Sequence, residues 1–192
     1  MVRDSAATKA RILNAATAEF AERGLAGARV DRLAASAGAN KQLIYAYFGS
    51  KEGLFDATLE AHLETLLDGV PFDASDLVGY ARRLFDFNLA HPELGRLARW
   101  HALERPGLLL QLPVAGASVG RKIAALAAEQ AAGRIDDSLP PAQLFVMLLA
   151  VIHAEQGPGA LGLSADEQTA SARDAVAVAV HRLISRSPSL GP

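Results

Sequence analysis

The stretch AGANKQLIYAYFGSKEGLF, residues 37–55, places two tyrosines, a lysine, a glutamine and an asparagine within nine residues of a glycine. Gly38 suits a tight turn, because glycine adopts left-handed backbone conformations at little cost. Asn40 is a favourable N-cap, since its side chain can accept a hydrogen bond from a free backbone N–H. We therefore predict a turn at Gly38 and a short helix over residues 41–48.

Ile44 and Phe48 are one helical turn apart, which predicts the buried side of this helix. The preceding residues 30–37 predict another short helix, with Leu33 and Ala37 inward. Two short helices joined by a glycine turn form a helix-turn-helix unit, a motif whose second helix enters the DNA major groove. The side chains off the buried line would face the groove, and they are Lys41, Gln42, Leu43, Tyr45, Ala46 and Tyr47.

The composition predicts an all-α protein. The chain has 192 residues, 51% of them hydrophobic and 6% aromatic, and its apolar residues recur at helical spacing rather than alternating. About nine helices result from this pattern, and the first is expected from Ser5 or Thr8 to Arg23, with Gly24 just past its end. We predict an N-terminal three-helix domain over residues 1–50 and a helical domain over residues 51–192.

Several protein classes lack support in the sequence. There is no cysteine, so disulfides and thiolate metal sites are excluded. The longest apolar run, residues 144–152, is far shorter than the ~20 residues that span a bilayer, and the N-terminus has no apolar signal core. Repeated Glu-x-x-His pairs, a nucleophile beside a base and a glycine-rich phosphate loop are all missing. We expect a cytoplasmic protein without catalytic activity, metal or cofactor.

Charge is distributed unevenly along the chain, whose net charge is −2. Residues 1–55 contain eight Lys or Arg and five Asp or Glu, whereas the remainder contains 11 basic and 16 acidic residues. A basic N-terminal part on an acidic body can orient the basic part toward nucleic acid. A helical adaptor that does not bind DNA is the alternative, and it predicts a neutral or acidic surface on the second short helix.

Three groups of residues resemble the DNA-binding domain of the TetR (tetracycline repressor) family. They are RIL-x-AA-x-x-x-F-x-x-x-G in helix one, V-x-x-LA-x-x-AG in helix two, and IY-x-YF-x-SKE-x-LF across helices three and four. The resemblance covers about 50 residues. It implies a bacterial transcription regulator that acts as a repressor and binds a palindromic operator as a homodimer. It also implies release from DNA by a small-molecule inducer bound in the C-terminal domain.

The sequence departs from the family pattern at three positions. Arg29 stands where a threonine usually caps helix two, and its guanidinium can contact a DNA phosphate instead. Asn40 stands where serine is common, and Gln42 where glycine or proline is common. Because Asn40 and Gln42 lie at the DNA-facing end of helix three, they predict an operator sequence particular to this protein.

The N-terminal end of helix three, the recognition helix, is expected to contact base edges. Lysine can donate to guanine O6 and N7, and glutamine can pair with adenine, so Lys41 and Gln42 are the predicted base readers. Leu43 and Ala46 are predicted to contact thymine methyl groups.

Other residues are predicted to contact the phosphate backbone, which positions a protein without reading sequence. Tyr45, Tyr47 and Lys51 resemble the phosphate contacts of the family, and Arg29 is a further candidate. The alternative is that the two tyrosines are half-buried packing residues and that Lys41 is a solvated charge.

The last two helices are predicted to form the dimer interface, because in the family these helices pack as a four-helix bundle between subunits. Helix eight carries nine successive apolar residues, and helix nine carries small and β-branched residues on one broad face. The alternative is that both helices only close the core of one chain. The predicted interface residues are Val151, Ala172, Val176, Ala179, Val180 and Leu183.

The predicted inducer site centres on a helix over residues 92–104, which carries the only tryptophan. Trp100 beside Glu104 would suit an apolar or aromatic ligand, including a cationic one. The alternative is that the aromatic residues are ordinary core. The predicted ligand-binding residues are Phe85, Trp100, His101, Glu104, Phe145, Met147 and Leu148.

Overall fold

The computed structural model describes residues 2–154 and 165–186, and every regular element in these ranges is helical. The all-α prediction is therefore confirmed. A 3-10 turn lies at Leu109–Gln111. The nine α-helices of the described residues are α1 (Val2–Gly27), α2 (Val30–Ala37), α3 (Lys41–Phe48), α4 (Lys51–Gly69), α5 (Leu77–Ala90), α6 (Pro92–Glu104), α7 (Pro113–Ala131), α8 (Pro141–Ala154) and α9 (Ala165–Ile184).

The chain forms two compact units. The head unit comprises residues 1–66 and 91–116, and the body unit comprises residues 67–90 and 117–192. The helix α6 therefore belongs to the head unit, although it follows α5 in sequence. The domain boundary predicted at residue 50 falls inside the head unit, because α4 and α6 join the short helices there.

The core of the head unit forms around one face of α1. Ile12, Ala16 and Phe20 recur every four residues and are fully buried, as expected for one stripe of a helix. The ring of Phe20 meets Phe55 of α4 edge-on, with ring centroids 4.9 Å apart. Ile44 is also fully buried, so the recognition helix is anchored through its inner side.

The first helix is kinked at Gly24 and does not end there. Gly24 has φ 66° and ψ −176°, after which one further turn runs to Gly27. The Glu104 carboxylate accepts hydrogen bonds from the backbone N–H groups of Leu25 (2.6 Å) and Ala26 (3.1 Å). A carboxylate from α6 thus satisfies N–H groups that the kink exposes, which explains why the chain resumes a helical turn after Gly24.

The core of the body unit lies among α5, α8 and α9. Its fully buried apolar residues include Leu84 on α5, Leu148 on α8 and Val180 on α9. At the surface of this unit, the Arg173 guanidinium of α9 donates two hydrogen bonds to the Asp86 carboxylate of α5. In the described parts of the chain, no helix combines the length and apolar character needed to cross a membrane.

Candidate nucleic-acid interface

The turn before α3 has the local structure that its residues predict. Gly38 adopts a left-handed conformation, with φ 58° and ψ 40°, which only glycine reaches without strain. The Asn40 Oδ1 atom accepts a hydrogen bond from the backbone N–H of Leu43 at 2.8 Å. The predicted N-cap is confirmed, and it defines the end of α3 that a helix-turn-helix presents to bases.

The outward side of α3 carries the predicted DNA-contacting side chains. Lys41, Gln42, Tyr45 and Ala46 are exposed, and the remaining predicted contacts on this helix, Leu43 and Tyr47, are half-buried. Phe48 is half-buried rather than fully buried as predicted, and the Lys9 ammonium lies 5.6 Å from its ring centroid. The helix therefore rests mainly on Ile44 and leaves its polar and aromatic groups accessible to a partner.

Lys41 is already paired within the head unit. Its Nζ atom lies 2.6 Å from Oδ1 of Asp31 on α2, and the hydrogen bond to this carboxylate raises the pKa of Lys41. Both side chains are largely exposed, so a DNA acceptor can compete with Asp31 for the ammonium. Sequence reasoning did not identify Asp31, because the pairing depends on how α2 and α3 cross.

The predicted phosphate contacts lie beside α3 and have partners of their own. The Tyr47 hydroxyl donates to Oγ of Ser5 at 3.1 Å. The Lys51 ammonium donates to the backbone carbonyl of Ala28 at 3.3 Å. The Ser50 hydroxyl accepts from the backbone N–H of Gly53 at 3.0 Å and so caps the start of α4. These bonds hold the side chains near the outward surface of the recognition helix.

Arg29 precedes α2 and makes no side-chain bond that caps this helix. Its own backbone N–H donates to Oε1 of Glu19 at 2.8 Å, and Arg32 donates to the same carboxylate. The hydrogen bond from Arg32 is the main reason that the pKa of Glu19 is lowered. Glu19 thus joins α1 to the start of α2, and the exposed guanidinium of Arg29 is left pointing outward from a fixed backbone. Arg32 and Glu19 were not identified from the sequence, because they are 13 residues apart.

Family models match both parts of the chain. Residues 12–58 match a model described as bacterial regulatory proteins, tetR family, and residues 76–182 match the tetracyclin repressor-like C-terminal domain. The chain belongs to the TetR family. It is a DNA-binding transcriptional regulator and not an enzyme, and the helix-turn-helix described above is the DNA-binding element of this family.

Individual relatives agree with this assignment over nearly the whole chain. The chain is 42% identical to the HTH-type transcriptional repressor SCO4008 of Streptomyces coelicolor, covering 96% of this chain and 98% of that protein. The crystal structure of the putative transcriptional regulator SCO4942 of the same species is 32% identical, with a TM-score of 0.75, covering 94% and 99%. A shorter match of 34% identity joins 45% of this chain to 44% of the transcriptional repressor NicS of Pseudomonas putida.

Three residues predicted for the inducer site belong to the head unit of this TetR-family protein. Glu104 bonds to the turn after Gly24, and Trp100 donates from Nε1 to the carbonyl of Ala21 at 3.4 Å. Trp100 also lines an open groove with Glu22 and two arginines, Arg96 and Arg99. Trp100 and Glu104 therefore attach α6 to α1, and in this groove the two arginines outnumber the one glutamate, which disfavours a cation.

His101 is the third of these residues and is only 1% exposed. Its ring stacks on Phe55 with centroids 5.8 Å apart, and Nε2 lies 3.5 Å from Oδ1 of Asp56. Burial lowers the pKa of His101, and the nearby Asp56 carboxylate opposes this effect. Arg105 donates to the other oxygen of Asp56 at 2.9 Å. His101 is thus part of the packing between α4 and α6.

The other residues predicted for the inducer site belong to the body unit. Phe85, Phe145 and Leu148 are buried there. Met147 is 49% exposed, so it does not line an interior site with them. The side chains of successive residues on a helix point in different directions, which is why the unbroken apolar run of α8 did not reveal which residues face inward.

The residues predicted for the dimer interface are partly buried within the single chain. Ala172, Val176 and Val180 are buried within the single chain, so their side chains serve its own core. The half-buried members of the predicted set are Val151, Ala179 and Leu183. The exposed apolar residues on these helices include Val146, Met147 and Ala150 of α8, and Ala175 and Val178 of α9.

Proposed function

We propose that this TetR-family protein is a repressor that binds a palindromic operator as a homodimer and is released by a small apolar or aromatic effector. The observation that carries the proposal is the outward side of α3, where Lys41, Gln42 and Tyr45 are exposed above a buried Ile44. Two-fold symmetry would place two such helices about one DNA turn, ~34–36 Å, apart.

The residues of the interface take different roles in this proposal. Lys41 and Gln42 read base edges, with guanine and adenine as the preferred acceptors of lysine and glutamine. Leu43 and Ala46 contact thymine methyl groups. The phosphate contacts, which set register without reading sequence, come from Arg29, Tyr45, Tyr47 and Lys51, and Asn40 holds the helix end against the groove.

Selection of bound sequences from random DNA tests operator recognition. We expect the selected DNA to be an inverted repeat. We expect Lys51→Ala to weaken binding to all sequences alike and to reduce the slope of log affinity against log salt concentration by about one. Arg134→Ala is the matched control, because Arg134 is an exposed cation of the body unit paired with Glu129. Recovery of no enriched sequence, or equal losses from the two variants, would contradict the proposed DNA contacts.

The exposed apolar residues of α8 and α9 are the proposed dimer surface. Val146, Met147 and Val178 are 61%, 49% and 50% exposed in the single chain, and large apolar groups on adjacent helices are typical of subunit interfaces. This replaces the predicted set, whose central members are buried. Met147→Glu should yield monomers in sedimentation, whereas Leu103→Glu, on an exposed leucine of the head unit, should leave dimers. Dimers of the Met147 variant would refute the surface.

Release by effector is proposed to act through α4. This helix begins at Lys51, directly after the recognition helix, and ends at Gly69, beyond the point where the chain enters the body unit. An effector that binds one arrangement of α4 more tightly shifts the population toward it. Structures of the free, effector-bound and operator-bound dimer should differ in the separation of their recognition helices, and equal separations in all three would reject this route.

A further inference from the structure

The body unit contains a lysine in its interior. Lys122 lies on α7 and is only 9% exposed, although lysine is rarely buried without a paired carboxylate. Ser118 and Leu126, one turn before and one turn after it, are also buried. Lys122 therefore lies on the inner face of the helix, where its ammonium cannot reach bulk water freely.

Aromatic rings surround this ammonium. The Nζ atom lies 5.7 Å from the ring centroid of Tyr80, 5.8 Å from that of Phe72 and 5.9 Å from that of Phe145. Nζ also lies 3.4 Å from the hydroxyl oxygen of Tyr80. Burial raises the pKa of Tyr80 to about 12, so near neutral pH its hydroxyl keeps its proton and its oxygen accepts from the ammonium.

Acidic groups of the body unit pair with arginines. Asp76, Asp86, Asp137, Asp174 and Glu129 pair with Arg83, Arg173, Arg186, Arg82 and Arg134, respectively. Among residues 5–153 and 171–186, whose side chains the structure describes, no carboxylate lies within ion-pair distance of Lys122. Burial, together with the like charge of Arg121, lowers the pKa of Lys122. The aromatic rings compensate for only part of the lost hydration, because a cation–π contact is weaker than a buried ion pair.

A buried amine without a carboxylate opposes folding, whereas a methionine of similar length would fill the same space without charge. The arrangement is well suited to a ligand that supplies the missing negative charge. An anion could accept hydrogen bonds from both Lys122 and the Tyr80 hydroxyl, and the phenylalanine rings would meet an apolar group next to it. A cationic ligand, in contrast, would be repelled by the lysine.

We propose that Lys122 is the recognition point for the effector and that the effector is an apolar or aromatic carboxylate. The inference rests on the proposed function, in which an effector binds the body unit. The carboxylate pairs with the Lys122 ammonium and the Tyr80 hydroxyl, and the apolar part packs against Phe145 and Phe72. Phe72 is half-buried and follows the end of α4 by three residues. Displacement of its ring therefore acts on the helix that leads to the DNA-binding helices.

Three probes with the same ring system test the charge of the ligand. They are 1-naphthaleneacetate, the neutral 1-naphthaleneacetamide and the cationic 1-naphthylmethylamine, with decanoate as an aliphatic carboxylate. Binding to the full-length protein is measured by calorimetry and by the shift in melting temperature. We expect the carboxylates to bind at least about tenfold more tightly than the amide, and the amine to bind most weakly.

Lys122→Met should weaken carboxylate binding about tenfold or more and leave amide binding unchanged. Arg121→Met is the matched control, since Arg121 is an exposed cation on the same helix, and it should behave as wild type. Tyr80→Phe, which removes only the hydroxyl, should give a smaller loss and serves as the second variant if Lys122→Met is poorly folded. Equal affinity for the carboxylate and the amide, tighter binding of the amine, no binding of any carboxylate, or unchanged carboxylate binding to Lys122→Met would each overturn the proposal.

Operator binding in the presence of each probe separates this inference from the proposed function. Carboxylate binding that depends on Lys122 but does not release DNA supports the site and contradicts effector-controlled release. Release of DNA by the amide or the amine, with no effect of the carboxylates, retains effector control and rejects Lys122 as its recognition point.

Discussion

Lys41 and Lys122 are both lysines on helices, yet their surroundings are opposite. Lys41 lies on the outside of the head unit and is paired with the exposed carboxylate of Asp31. Lys122 lies inside the body unit among aromatic rings, and burial lowers its pKa. Water screens the first charge and makes its partner easy to exchange. The second charge lacks such screening, so it favours a ligand that brings a complementary charge.

The largest expected effect is on DNA binding. Lys41→Met should reduce affinity for the selected operator roughly 10- to 100-fold and relax the preference at one base position, because it removes a donor to a base edge. Thermal unfolding should change little, since the side chain is exposed. The measurement is a titration of labelled operator and of variants with single base changes. A uniform loss across all operators would assign Lys41 to phosphate instead of base recognition.

The corresponding substitution in the body unit should change stability and leave operator affinity unchanged. Lys122→Met is expected to raise the free energy of unfolding of the ligand-free protein by about 1 kcal/mol or more, because it removes a buried charge that none of the described carboxylates pairs with. Operator affinity in the absence of effector should match wild type. Denaturant unfolding measures the first quantity, with Arg121→Met as the exposed control. A destabilised Lys122→Met protein would mean that the cation–π contacts outweigh the cost of burial.

The two units should also respond to pH in different ranges. Burial lowers the pKa of His101 in the head unit. As the pH falls, this histidine therefore binds a proton at a higher pH in the unfolded chain than in the folded one. The stability contribution of neutral His101 is present above the unfolded pKa of about 6.5 and is lost as the pH falls toward the folded value. Burial likewise lowers the pKa of Lys122, so stability should increase as the pH rises from its folded pKa toward the unfolded value of about 10.4.

Unfolding free energies measured between pH 5 and 10 check both trends. His101→Gln should reduce the pH dependence of the unfolding free energy on the acid side only. Lys122→Met should reduce it on the alkaline side only. The same acid dependence in His101→Gln and wild type would assign the effect to another group, of which His62 is the first candidate because burial also lowers its pKa.

The smallest expected effect concerns the partner of Lys41. Asp31→Asn removes the exposed carboxylate that competes with DNA, and operator affinity should increase by less than about fivefold, as exposed ion pairs are weak. The increase should shrink at high salt. Asp174→Asn is a suitable control, since Asp174 is an exposed acid of the body unit near Arg82. A loss of affinity in Asp31→Asn would show that Asp31 positions Lys41 for binding.

Sequence patterns predicted the head unit well because its signals are local. Gly38, Asn40 and the spacing of Leu33 and Ile44 lie within a dozen residues, and the turn, the N-cap and the inner faces all result from them. Effects that depend on contacts between distant residues were not predicted. The turn after Gly24 forms because Glu104, about 80 residues away, supplies acceptors for its N–H groups.

The body unit demonstrates the same limit more strongly. Its apolar composition predicts helices, but it does not say which side chains of α8 and α9 face inward. In the single chain Met147 is exposed, whereas Val176 is buried. In the sequence Lys122 is one cation among 19 basic residues. Its burial follows from the packing of Phe72, Tyr80 and Phe145 around α7, residues up to 50 positions away. Local backbone preferences and helical periodicity thus account for the elements and the DNA-facing helix, whereas charge burial depends on tertiary packing, because only neighbours distant in sequence can exclude water from a side chain.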